Sequence, residues 1–184
     1  MIPLDPRYAI ALARPRDLPL LAAIERAGGT LLLGHAPPSI IAATTGEDVL
    51  RDAQVHGRLW VALADDVPVG FALVCMLAPG RPHLEELDVD PRHGRRGIGG
   101  ALVRAACVWV ARNGHADLTL TTFRHVRWNM PFYAGLGFEE VPAAALRPKL
   151  AAIVRDETRR GLDPATHVVM RYRVPRPRSD REGR

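Results

Sequence analysis

The stretch "LDVDPRHGRRGIGGALV", residues 87–103, restricts the fold of this chain more than any other. Alternating apolar positions end at Asp90-Pro91, three arginines follow among glycines, and an apolar run with helical spacing then begins. A strand therefore passes into a helix through cationic, glycine-rich backbone. A Walker loop needs Lys and Ser/Thr after its last glycine, where this chain has Ala101 and Leu102. A dinucleotide fingerprint starting at Gly97 would put Leu102 where Gly or Ala is required, and it belongs in an opening βαβ unit rather than in mid-chain. What is left is the helix N-terminus itself. The N–H groups of residues 95–100 have no intrahelical partners and add to the positive end of the helix dipole. Gly97, Gly99 and Gly100 let a ligand approach the backbone with no Cβ in the way. Arg92, Arg95 and Arg96 can add charge-assisted hydrogen bonds at the edges. The ligand that suits is a pyrophosphate with nothing beyond it that needs a metal.

Around this unit the pattern alternates between strands and helices. "YAIALARP" reads as a first strand. Asp17 opens a helix over 18–27 that Gly28-Gly29 closes. "LLLGHAPPSIIAATTG" is a punctuated loop, and Thr45 or Gly46 caps a helix over 47–56. "RLWVALADDVPVGFALVCML" is a hairpin turning at Asp65-Asp66. Then come a strand in "RPHLEELDV", a helix over 99–113, a strand in "ADLTLTTF", a short helix in "NMPFYAGLGF", a helix in "RPKLAAIVRDETRRG" and a last strand in "ATHVVMRYRV". Trp60, Phe71 and Leu73 read as core strand residues. This order predicts an α/β (mixed α+β) layer fold with a mixed sheet, one domain over residues 1–174. Residues 175–184 form a basic tail of Pro and Arg, expected to be disordered.

The 184 residues, 47% hydrophobic, suffice for one core, and no window has the unbroken apolar length of a membrane span. Asp5, Pro6 and Arg7 stand where a signal peptide needs apolar residues, so a cytoplasmic protein is expected. Cys75 and Cys107 lie in apolar runs and read as buried thiols. No Cys, His and carboxylate cluster has ligand spacing, so no metal is expected. The net charge of +5 comes from an arginine excess, all basic residues but Lys149 being Arg, and it is spread along the chain. Without an aromatic-rich basic face, nucleic acid is not an expected partner.

The strand before the loop breaks its own period. Leu84 cannot share a face with Leu87 and Val89 if side chains alternate regularly. One extra residue at Glu85-Glu86 restores the match, as a β-bulge does, and would re-aim two adjacent carboxylates. The alternative is a regular strand with an exposed Leu84.

"VDPRHGRRGIGGALV" resembles the acetyl-CoA-binding motif of the GNAT N-acetyltransferase superfamily, Gln/Arg-x-x-Gly-x-Gly/Ala. Gly97 and Gly99 fill its small positions, while Gly94 stands at the Gln/Arg position. "FYAGLGF" resembles the family's late Tyr-x-x-x-Gly-Phe signature, and "ALARPRDLPLLAAIE" its first strand and helix, so the likeness spans residues 8–174. It implies a GNAT-like fold with a central, mostly antiparallel twisted sheet of about six to seven strands between helices. It also implies acetyl-CoA as co-substrate, held by Leu87, Asp88, Val89, Arg92, Arg95, Arg96, Gly97, Ile98, Gly99 and Gly100. The family's asparagine, seven residues before the tyrosine, is replaced here by Val126. Asn129, four residues before Tyr133, is the candidate for its cofactor contact.

Acetyl transfer to an amine requires removal of an ammonium proton, polarisation of the thioester carbonyl and protonation of the departing thiolate. An amine of pKa about 10.4 resists deprotonation at pH 7 by roughly 4.6 kcal/mol, more than an ordinary carboxylate can supply alone. The base must therefore act through water, on an amine whose own pKa falls on binding. The resemblance implies Glu85 as that base and Glu86 as an acceptor contact. Tyr133 is the natural proton donor to the thiolate, and a backbone N–H near Leu87, Asp88 or Val89 can polarise the carbonyl. His83, His125 and Trp128 could line the acceptor pocket, but each reads first as structural. The expected activity is direct transfer to a primary amine of a small molecule or peptide, since neither cysteine sits on the site. A homodimer is compatible with this. The competing reading is a GNAT-shaped module that binds acyl-CoA as a sensor and transfers nothing.

Overall fold

The computed structural model describes residues 2–175, and all of the basic tail except Pro175 lies outside them. A seven-stranded sheet of order β1-β2-β3-β4-β5-β7-β6 crosses the molecule. Its strands are β1 (Tyr8–Leu12), β2 (Leu59–Ala64), β3 (Val67–Ala78), β4 (Arg81–Val89), β5 (Asp117–Phe123), β6 (Phe138–Glu140) and β7 (His167–Arg173). All neighbours pair antiparallel except β4 and β5, which are parallel. The helices are α1 (Leu18–Gly29), α2 (Pro38–Ile41), α3 (Glu47–Val55), α4 (Ile98–Arg112), α5 (Met130–Ala134) and α6 (Pro148–Arg159). This is the mixed, mostly antiparallel layer fold expected. No helix among the described residues is long and apolar enough to cross a membrane.

Alternation along the central strands builds a core on each face of the sheet. Trp60, Ala72 and Val74 pack with Ile98, Leu102, Ala106 and Val110 of α4. Leu59, Val61, Phe71 and Leu73 pack on the opposite face with Leu21 and Ile24 of α1 and Leu50 of α3. The β2–β3 hairpin turns at Asp65 and Asp66, both left-handed (φ 48° and 65°), a conformation short Asx side chains tolerate.

Local signals failed at particular places. The helix expected to stop at Gly28-Gly29 runs through both. A Cβ on Gly28 would lie 2.3 Å from Asp88 Oδ1, and one on Gly29 2.9 Å from the Ile41 carbonyl. These glycines let α1 press against β4 and α2 and do not end the helix. Asp17 does not cap α1 with its side chain; its carboxylate turns back to accept from the Arg14 N–H at 2.8 Å and guanidinium at 2.9 Å. Gly46 occupies the N-cap of α3, while Thr45 gives its N–H and hydroxyl to Glu25. The three-residue strand β6 was not anticipated, because "FEE" is too short to show a period. Cys75 and Cys107 are half-buried, less enclosed than expected. Burial raises their thiols to about 11 and about 12, so neither is a thiolate near neutral pH.

Candidate active site

The irregularity anticipated in β4 is present. Leu73 pairs with Glu86 and Val74 with Leu84, which leaves Glu85 as the extra residue. Leu84, Leu87 and Val89 consequently all join the α4-side core. Glu86 and Asp88 are turned to the other face, towards α1.

The second consequence lies between β4 and β5. These strands pair only where His83 meets Thr119, and beyond that point they part. His83 holds the junction: it is 2% exposed, and its Nδ1 lies 2.9 Å from the Thr119 hydroxyl. Burial lowers its pKa to about 4, which keeps the ring neutral. Past the junction the β5-facing edge of β4 has no strand partner. A cavity of about 450 Å³ opens there, bordered by Glu85, Glu86, Leu87, Asp88, Val89, Gly99, Asn129, Phe132 and Tyr133.

The cavity is strongly acidic. Burial, and next the charge of Asp88, drive the Glu86 carboxyl well above its ordinary range. Asp88 is raised to about 7, by burial first and then by Glu25 of α1. Glu85 faces open space, yet the enclosing walls and then Glu157 raise it too. Tyr133, on α5, is a wall residue whose phenol is raised by burial and then by Asp88 and Glu86, so it keeps its proton. Carboxylates with enhanced proton affinity and a protonated phenol in one cleft can accept and donate protons near neutral pH.

The loop at the start of α4 is held from both sides. Asp90 accepts from the Arg92 N–H at 2.9 Å and binds its guanidinium at 2.6 Å, while Tyr8 Oη meets His93 Nδ1 at 3.0 Å. Arg95 (φ 59°) and Gly97 (φ 76°) are both left-handed, and the amides of residues 95–100 have no acceptor among the described residues. Several expectations for this loop need correction. Gly97 does not offer an open approach: a Cβ there would lie 2.2 Å from the Pro3 carbonyl, so the N-terminal segment occupies that side. The Asp5 N–H also donates to the Arg96 carbonyl at 3.1 Å. Gly100 is buried beneath the Arg104 guanidinium, and Gly99 is the glycine that opens on the cavity, facing Phe132. The Ile98 side chain is 2% exposed, which leaves only its backbone for a ligand. Arg92 is already paired with Asp90, and the Arg96 guanidinium lies 5.9 Å over the Tyr8 ring.

On the far wall, Trp128 is 48% exposed and borders the cavity, so it is not a core residue. His125 stacks in a group with His35 and Phe123, outside the lining. The sequence reading missed Glu25, Glu157, Arg160 and His167, all of which border the cavity. The spacing of Glu157 and Arg160, on successive turns near the end of a helix, was the one local signal available.

The chain belongs to the acetyltransferase (GNAT) family, whose model matches residues 34–138. It is 39% identical over 62 residues to a mycothiol acetyltransferase of Segniliparus rotundus, a match covering 33% of this chain and 23% of that protein. Over 76 residues it is 37% identical to a mycothiol acetyltransferase of Mycolicibacterium vanbaalenii, covering 41% and 25%. The matches thus span about a quarter of the length of these curated relatives. Among solved structures, the PaiA N-acetyltransferase of Thermoplasma acidophilum, crystallised with coenzyme A, superposes with a TM-score of 0.69 at 17% identity, covering 90% of this chain and 98% of that one.

Proposed function

We propose that this protein transfers the acetyl group of acetyl-CoA directly to a primary amine, within the cleft where β4 leaves β5. One observation carries the reading: the unpaired edge of β4 and the raised carboxyls of the bulge border a single cavity, and Gly99 brings to it the start of α4, where the amides of residues 95–100 have no acceptor among the described residues. These groups fit the co-substrate. The amides at the start of α4 and the exposed side chain of Arg95 suit its diphosphate. The free edge of β4 at Leu87, Asp88 and Val89 suits the amide-bearing arm that leads to the thioester, and Asn129 and Phe132 flank its path.

Acetyl-CoA supplies an activated carbonyl; the chain supplies proton handling and orientation. The acceptor arrives as an ammonium. Glu85, through water, takes one proton, and Glu86 holds the amine in place. An amide N–H of the free β4 edge points at the carbonyl oxygen and stabilises charge gathering there. As the C–N bond forms and the C–S bond breaks, the amine gives up a second proton. Tyr133 donates its phenolic proton to sulfur and is reprotonated from the acidic cluster. The balance is one acetyl group moved, one thiol formed and one proton released to solvent. Neither half-buried cysteine borders the cavity, which favours direct transfer over an acyl-enzyme route.

The test is thermal stabilisation by acetyl-CoA combined with thiol release in the presence of amines. Gly99→Trp drives an indole towards Phe132, which already stands 3.5 Å from the Cβ position. It should abolish the acetyl-CoA shift in a chain that still folds. An undiminished shift would place the co-substrate elsewhere.

A further inference from the structure

His83 of β4 borders the cavity, yet the proton transfers above make no use of it. Its two ring nitrogens are placed differently. Nδ1 lies 2.9 Å from the Thr119 hydroxyl oxygen, and that hydroxyl donates to the Pro82 carbonyl at 3.3 Å. A hydroxyl has one hydrogen. With that hydrogen on Pro82, Nδ1 carries the hydrogen of the neutral ring and donates it to Thr119, which leaves a lone pair on Nε2. Nε2 has no hydrogen-bond partner among the described residues. It is not sealed in either, because the fully enclosed side-chain nitrogens and oxygens without a partner there are Glu157 Oε2 and Arg171 Nε. The ring is only 2% exposed, and the open space that it borders is the cavity. A polar atom left this way inside a buried ring is costly unless a donor comes from the cavity.

The bulge decides what stands beside it. Leu84, Leu87 and Val89 point to the α4-side core, so His83 lies on the opposite face with Glu86, and the inserted Glu85 comes between them. A water that relays a proton from an ammonium to Glu85 turns a lone pair to the ammonium and one hydrogen to the carboxylate. Its second hydrogen needs an acceptor that will not compete for the proton. A neutral imidazole meets that need here. Burial lowers its pKa to about 4, whereas burial and then Glu157 raise the Glu85 carboxyl above its usual 4.5.

We propose that His83 is a positioning residue for acetyl transfer: its Nε2 accepts the second hydrogen of the water through which Glu85 takes the acceptor's proton, while Nδ1 stays on Thr119. The inference rests on the reading of the cavity as the acetyl-transfer site with Glu85 as its base. The ring gains no proton. The ammonium proton passes to the water, and the water's first hydrogen passes to Glu85.

Two substitutions separate the nitrogens. In His83→Asn the side-chain amide reaches the place of Nδ1 and can still donate to Thr119, but nothing replaces Nε2. In His83→Gln the longer side chain brings an amide oxygen to the place of Nε2, and the Thr119 contact is lost. Thiol release from acetyl-CoA is followed with benzylamine, glycinamide and 1,4-diaminobutane, and kinetics are taken on the amine that the wild type uses fastest. His83→Asn should lower kcat by about tenfold with the amine KM within about twofold, its urea midpoint and acetyl-CoA thermal shift staying close to those of the wild type. His83→Gln should keep kcat within about threefold although its urea midpoint falls. A histidine that only holds the strand junction gives the reverse order, with Asn near wild type and Gln impaired. That order, or equal losses in both, overturns the inference and leaves the transferase reading standing. The unmutated protein provides a second readout, nitrogen NMR of its imidazoles: the His83 hydrogen should sit on Nδ1 and stay there from about pH 5 to about pH 8. A hydrogen on Nε2, or a ring that takes up a second proton in that range, overturns the inference whether or not any of the three amines is used. A wild type with no acetyl-CoA shift takes the site reading and the inference down together.

Discussion

Replacing Gly97 with alanine should damage this protein through two separable effects. The first is conformational: φ is 76°, and a Cβ in that region costs about 1–2 kcal/mol. The second is a collision, since the new atom would lie 2.2 Å from the Pro3 carbonyl and 2.8 Å from the Leu4 nitrogen. Both are backbone, so the N-terminal segment must lift. Lifting it breaks the Asp5 N–H to Arg96 carbonyl bond, worth about 1 kcal/mol. It also exposes the partly buried Leu4, worth about another 1 kcal/mol. Gly97→Ala should therefore cost about 3–4 kcal/mol. Gly114 provides the control, because it too is left-handed (φ 72°) but has nothing within 4 Å of its Cβ position. Gly114→Ala should cost about 1–2 kcal/mol, from strain alone. Urea unfolding of both variants gives the difference, and a chain beginning at Pro6 should bring the Gly97→Ala cost down to the control's. If the two alanine variants lose equal stability, the N-terminal segment does not clamp the loop and the packing argument is wrong.

Tyr133→Phe keeps the ring and removes the donor; turnover should fall by about a hundredfold or more while the acetyl-CoA thermal shift is preserved, and unchanged turnover would reduce Tyr133 to a packing role. Asp88 is raised from 3.8 to about 7, by burial first and then by Glu25, with Glu86 and the Tyr133 phenol also facing it. Between those values the folded chain keeps a proton that the unfolded chain has released, so this group's contribution to stability falls as pH rises from about 4 to about 7. His83, lowered to about 4, acts in the opposite sense between pH 4 and 6.5, with stability rising with pH. Comparing wild type with Asp88→Asn isolates the carboxyl. Relative to the variant, the wild type should lose stability in urea between pH 5 and pH 8, and a flat or rising difference would contradict the burial of Asp88.

The mid-chain strand–loop–helix, the hairpin at Asp65-Asp66 and the slipped period of Leu84, Leu87 and Val89 were all legible in the residues. Each is a local signal: a periodicity, a turn preference or a phase error within a few positions. The slip left two readings, a bulge at Glu85-Glu86 or a regular strand with Leu84 exposed, and the structure has the bulge, with Leu84 buried beside Leu87 and Val89 in one core. The first reading also pointed to Glu85 and Glu86 as the carboxylates that the bulge would re-aim.

Tertiary structure alone decided what the glycines serve and which side chains border the cavity. Gly28 and Gly29 read as a helix stop until Asp88 and Ile41 are seen pressed against them, and Gly97 reads as an open approach until Pro3 is found on it. Glu25, Glu157 and His167 carry no local mark, because they reach the cavity from α1, α6 and β7, far from the bulge in the chain. The sequence by itself determined the elements and the cationic turn, which depend on neighbours a few residues apart. The charge inside the cleft depends on which distant carboxylates the packing brings to it without an arginine or lysine ion pair among the described residues, and a chain of net charge +5 gave no sign of it.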